Sequence, residues 1–198
     1  GFRISVRKSS LSSAVPTPLS AIIPARAMIE LSRIATDNSE TIKMVIPKGR
    51  GQVIFHLPNI ELASQLIDAN FPDFKLIIPQ SCKTRTILPT SALLKACRQA
   101  EVIARDSNNV IRLEIINNEN EPGRVEVQAT SEETGASEIE LDATVEGQEL
   151  EIAFNVKFLQ DGLEAISTRN VVIESNAHNT PAIIRPADRE ASPLGEEE

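Results

Sequence analysis

Apolar and polar residues alternate through GFRISVR at the start of the chain, which predicts a strand over 2–8 with one buried and one wet face. The serine- and proline-rich run SSLSSAVPTPLS (9–20) cannot sustain helix or strand and predicts a loop. Past Ala21-Ile22-Ile23 the spacing becomes helical. Pro24 suits a first turn, where its missing N–H would be unpaired anyway, and Met28, Ile29, Leu31, Ile34 and Ala35 supply apolar positions. Arg26, Glu30 and Arg33 fall on other faces, and Thr36-Asp37-Asn38-Ser39 ends the helix. Alternating strands at 41–46 and 52–57 flank Pro47-Lys48-Gly49-Arg50-Gly51, where glycine is available for positive φ. An extended segment at about 60–68 then leads into FPDFKLIIP (71–79).

The rest of the chain repeats this plan. A strand over 83–88 precedes PTSALLKACRQAEVIARD, where Thr90 or Ser91 is placed to cap a helix with the apolar stripe Leu93, Leu94, Cys97, Val102 and Ile103. Strands are predicted at 109–116, 124–130, 137–145 and 150–155, with Gly123, Gly135 and Gly147 at the turns. A helix over 155–166 and strands at 170–175 and 181–186 follow, and the polar tail ADREASPLGEEE reads as disordered. Sliding the chain by 131 residues lays AIIPARAMIELSRIA on IAFNVKFLQDGLEAI, and the strands after each helix coincide within a few residues. The chain therefore holds one complete unit (about 83–187) and the second half of another (1–80).

Composition sharpens the class. Apolar residues make up 41% of the chain, but the aromatics are six Phe with no Tyr or Trp. The core must therefore be aliphatic, and 23 isoleucines favour sheet. With three predicted helices among these strands this is an α+β architecture. The net charge of −8 hides an asymmetry: residues 1–100 carry +7 and residues 101–198 carry −15, which excludes a uniformly basic nucleic-acid binder. No stretch has the roughly 18 apolar residues of a membrane span, and no leader pattern opens the chain, so a soluble, cytoplasmic protein is expected. Cys82 and Cys97 lack Cys-x-x-Cys spacing and read as reduced thiols. The chain opens at Gly1 inside a strand pattern, which implies that the N-terminal part of a longer protein is missing.

No catalytic constellation is legible. His56 falls in a strand and His178 in a turn, with neither cysteine nearby in sequence, and Asp161 with Glu164 reads as a solvated acidic pair. Lys48-Gly49-Arg50-Gly51 does not open a helix after a strand, as a phosphate cradle must. The chain reads as non-catalytic, with no cofactor and no metal. Arg26 and Arg33 on one helix, and Lys95, Arg98 and Arg105 on another, form either a phosphate-facing stripe or an ordinary solvated face. Without interleaved aromatics, base stacking is excluded.

GFRISVR, IIPARAMIEL, FPDFKLIIP, EIAFNVKFLQDGLEAI and PAIIRP, in this order over about 1–187, resemble the bacterial DNA polymerase III β subunit, the sliding clamp. The resemblance implies a DNA clamp fold, a homodimeric ring of three-domain protomers with helices lining a lumen and sheets outside. The segments expected are 1–80 as the second half of the middle domain, 81–187 as the C-terminal domain, and 188–198 as an acidic tail. It implies a processivity factor encircling double-stranded DNA, with Arg26, Lys95 and Arg98 facing it. DNA polymerase III, clamp loader and repair proteins would dock linear peptides on Gly1, Arg3, Ile4, Pro72, Leu76 and Ile77. Ile103 and Ala104 would lie at the dimer interface. Family members finish in an apolar strand that completes the pocket, where this chain runs into ADREASPLGEEE; an incomplete pocket, an open sheet edge and no ring closure by the chain alone are therefore expected. A clamp-like peptide-binding module that does not encircle DNA is the first alternative, and a hydrolase on a β-rich scaffold the second.

Overall fold

The computed structural model describes residues 3–10, 18–35, 41–117 and 122–187. The chain divides into two units, one over residues 7–73 and the other combining the residues up to Val6 with those from Phe74 onward. FPDFKLIIP carries a proline near each end, Pro72 and Pro79. The units part next to the first of these, whereas the sequence reading placed the join at 80/81.

In the unit over 7–73, helix α1 (Ala25–Ile34) starts directly after Pro24 and buries Leu31. Strands β1 (Lys43–Val45), β2 (Gln52–His56) and β3 (Glu61–Gln65) form an antiparallel sheet in chain order. Leu31, Val53 and Phe55 are its buried centre, with Ile23, Ile46, Leu57, Leu62 and Leu66 packed around them. Met28 and Ile29, read from the spacing as core positions, are exposed at 43% and 69%. A three-stranded sheet below one helix covers only the Leu31 line of that helix.

The other unit holds two four-stranded antiparallel sheets. One has the order β11-β10-β4-β8, from β4 (Thr84–Pro89), β8 (Thr144–Gly147), β10 (Asn170–Ser175) and β11 (Ile183–Ala187). Its companion has the order β7-β6-β5-β9, from β5 (Val110–Ile116), β6 (Arg124–Ser131), β7 (Gly135–Asp142) and β9 (Leu150–Asn155). Helices α2 (Thr90–Ala104) and α3 (Val156–Glu164) pack on each other, and α2 also lies against β6 and β7. The buried core is aliphatic throughout, centred on Leu88, Leu93, Ile111, Leu113, Ile115, Val125, Val127 and Ile173.

The internal repeat is visible in the structure. An offset of 131 carries the first residue of α1 onto the first residue of α3, and Gln52–His56 onto Ile183–Ala187, so β2 and β11 are equivalent. Both are antiparallel to the strand preceding them, β1 and β10.

Four local readings change. Residues 3–10 form no strand and are all exposed, because no described strand supplies a ladder for their N–H and C=O groups. The strand expected over 137–145 breaks at Ala143: β7 stays with β6, while β8 crosses to pair with β4 in the other sheet. Alternation encodes which face is buried, and it continues unbroken through a strand that changes sheets. Helix α2 has no side-chain cap; Thr90 instead donates its Oγ1 hydrogen to the Thr168 carbonyl at 3.0 Å, tying the helix start to the segment after α3. Val102, read as part of the apolar stripe, is 64% exposed, because α2 turns Leu93, Ala96, Cys97, Ala100 and Ala104 inward and lies close to the sheet on those small side chains. The tail at 188–198 lies outside the described residues.

Candidate functional sites

The inward stripe of α2 forces Lys95 and Arg98 onto its exposed face. Arg98 Nη2 lies 2.9 Å from Glu164 Oε1 on α3, both side chains being more than half exposed. That carboxylate neutralises one of the three cations expected to face DNA. Lys95, and Arg26 on the first turn of α1, are exposed and have no carboxylate partner among the described residues. Arg33 is paired with Glu30 at 2.6 Å. Glu164 and Asp161, read as a plain acidic pair, are each tied to an arginine, Arg98 and Arg3.

The apolar candidates fall in both units. Arg3, Ile4, Leu76 and Ile77 belong to the unit that contains α2 and α3, whereas Pro72 belongs to the other and is exposed. Gly1 lies outside the described residues. Leu76 closes the 3₁₀ turn Phe74–Leu76. Ile4, Leu76 and Ile77 are 49%, 84% and 53% exposed. Large aliphatic side chains this open are not core positions.

One further residue was missed. Asn155 Oδ1 accepts hydrogen bonds from the Lys157 and Phe158 backbone N–H groups, which starts α3 and sets Phe158 on its first turn. Phe158 is 41% exposed, and the Arg3 guanidinium carbon sits 4.4 Å from its ring centroid. The capping pattern Asn155-x-x-Phe158 was legible in the sequence. The arginine above the ring was not, since it comes from the far end of the chain.

At the end of α2, Ala104 is fully buried within the chain and Ile103 is half-buried against the same core. Val102 and Val110 are 64% and 42% exposed.

His56 Nδ1 is 2.7 Å from Glu61 across the β2–β3 pair, and His178 is exposed in a turn. Among the described residues, no three His, Cys, Asp or Glu side chains are grouped to hold a metal ion, and no helix is long and apolar enough to cross a membrane. Burial pushes the Cys97 thiol up to about 12, and burial with Glu174 nearby raises Cys82. An unfolded thiol ionises near 9.0, so Cys97 has no effect on the pH dependence of stability below that value. Between about 9 and 12 the unfolded state loses its proton while the folded state keeps it, and stability is expected to fall by up to about 1.4 kcal/mol per pH unit. Alkaline urea titrations of the native chain and of Cys97→Ala would show this slope in the first and its loss in the second.

The architecture is that of the DNA polymerase sliding clamps. The crystal structure of the Bacillus subtilis clamp superposes with a TM-score of 0.84 at 32% identity, covering 93% of this chain and 47% of that one. The Pseudomonas aeruginosa clamp gives 0.77 at 26% identity, covering 86% and 45%. Residues 1–73 match the central domain of the DNA polymerase III beta subunit and residues 75–193 match its C-terminal domain, so the chain belongs to the DNA polymerase III beta subunit family. The curated beta sliding clamps of Bacillus subtilis, 32% identical over 190 residues, and Synechococcus elongatus, 28% over 187 residues, are among its relatives. The chain spans about half the length of these relatives, 49% in each case.

Proposed function

We propose that the chain acts as part of a replication processivity clamp, a non-catalytic cytoplasmic protein that encircles double-stranded DNA and tethers DNA polymerase III to it. Residues 7–73 are then part of the middle domain, and the residues from Phe74 onward belong to the C-terminal domain. Sliding requires attraction to phosphates without sequence readout, which a few unpaired cations on helices provide. Lys95 and Arg26 fill that role, with Arg98 held in reserve by Glu164. Tethering raises the effective concentration of the polymerase at the primer end without any chemical step. The proposed ring is a homodimer, with Ile103 and Ala104 near the contact between protomers.

The observation that carries this reading is the group of open aliphatic side chains Ile4, Leu76 and Ile77, beside a clamp fold. Short apolar peptides of polymerase, clamp loader and repair proteins are the proposed occupants, with apolar anchors as the affinity source. Anisotropy titration with a fluorescein-labelled pentapeptide bearing leucine and phenylalanine anchors is expected to give micromolar binding. Ile77→Ala should weaken it by about tenfold, a loss usual for a buried anchor. Because Ile77 is exposed, the same change should leave the unfolding midpoint nearly unmoved. Equal peptide binding by native chain and variant would contradict the assignment.

A further inference from the structure

Arg3 makes two contacts with one face of α3. Its guanidinium stands over the Phe158 ring, 4.4 Å from the centroid, and its Nη1 is ion-paired with Asp161. Phe158 and Asp161 are three residues apart on the helix and therefore neighbours on its surface. Together they offer an aromatic face and a carboxylate that hold one cation, supplied from 158 positions earlier than Asp161. Residues 3–6 belong to the same unit as α3 but form no strand, so the Arg3 side chain is a tie between that segment and the helix.

The tie covers what a ligand would use. Phe158 is the aromatic side chain exposed on α3, and the guanidinium occupies one of its ring faces. Both partners of the ion pair are open to solvent, 52% for Arg3 and 60% for Asp161, so water and salt screen it. A screened pair plus one cation–π contact favours the closed arrangement by a modest ratio and opens readily.

We propose that Arg3 is a latch over one face of the Phe158 ring, kept shut by Asp161, and that an apolar peptide side chain stacks on that face only when the latch swings away. This rests on the reading of Ile4, Leu76 and Ile77 as peptide-binding residues. Asp161 is a positioning residue: it touches no ligand and sets the fraction of molecules in which that face is open. Apparent affinity is lowered by the fraction of molecules that are not competent to bind. Weakening the latch should therefore tighten peptide binding, the reverse of what removing an anchor does.

The chain contains no Trp, so Phe158→Trp installs a single fluorescent reporter whose indole is a strong partner for a guanidinium. In that background Asp161→Asn is expected to raise acrylamide quenching of the reporter by about twofold, Asp161→Glu to leave it unchanged, and about 0.5 M NaCl to reproduce the Asn effect with the native aspartate. In the full chain with its native phenylalanine, Asp161→Asn is expected to bind the labelled Leu/Phe pentapeptide about threefold more tightly and Asp161→Glu as the native chain does. Quenching that ignores residue 161, or peptide affinity that stays level or falls in the Asn variant, overturns the latch. If no variant binds the peptide while quenching still follows residue 161, the peptide reading falls and the gating role falls with it, leaving a structural tie.

Discussion

Gly147→Ala is expected to cost about 3 kcal/mol or more of unfolding free energy, the largest effect of a methyl added at any of the described glycines. Gly147 has φ +99°, a region that side chains other than glycine's rarely adopt, and a Cβ there would lie 1.9 Å from the Lys83 carbonyl oxygen. That oxygen is backbone, at the entrance to β4, so no rotamer change relieves the clash. Gly147 pairs with Thr84, and β8 is an outer strand of its sheet, so relief comes through loss of the β4–β8 ladder from Thr84 to Ile87. Gly49→Ala is the control: φ is also positive at +75°, but nothing lies within 4 Å of its Cβ, and the cost should be about 1 kcal/mol. Urea unfolding of both variants, with hydrogen exchange at the β4 amides, checks the difference. Equal losses would show that backbone conformation alone matters and that β8 does not approach Lys83 as described.

Leu93→Ala is expected to destabilise by about 3 kcal/mol, within the usual range for a leucine truncated in a packed core. Leu93 is fully buried on the inward face of α2, among alanines that hold the helix close to β6 and β7. A close-packed core relaxes only partly around the missing atoms, so part of the cavity remains. Val102→Ala, two turns later and 64% exposed, should change stability by less than about 0.5 kcal/mol. The functional consequence follows from geometry, because Lys95 and Arg98 ride on the opposite face of the same helix. Loosening α2 should weaken any phosphate contact those cations make and lower its salt dependence.

Much of this architecture was legible in the residues because local and global preferences agree. Asn155 caps α3 where the pattern placed a helix start, and the repeat offset of 131 proved to join equivalent elements. Periodicity carries no information about pairing partners, and the misreadings arise there. The unbroken alternation of SEIELDATV hid a change of sheet at Ala143, and the alternation of residues 3–8 suggested a strand where no ladder exists. On α2, Val102 fitted a stripe of large apolar residues, whereas the packed stripe is built on alanines. Of the candidate residues, Ile4, Leu76, Ile77, Lys95 and Arg26 are exposed. The Arg3–Phe158–Asp161 contact depends on chain segments brought together by folding, which no local pattern announces.

The central proposal is topological: that this chain forms half of a ring protomer which holds on to DNA by encircling it. The direct test is a chimaera in which these 198 residues replace the matching half of the Bacillus subtilis clamp, loaded by that organism's clamp loader onto a nicked circular duplex. Retention on the circle and rapid loss when the duplex is cut once at a site away from the nick is the result expected. A chimaera that dimerises but is never retained on the circle, or that stays on linear DNA as well as on circular DNA, would contradict the account.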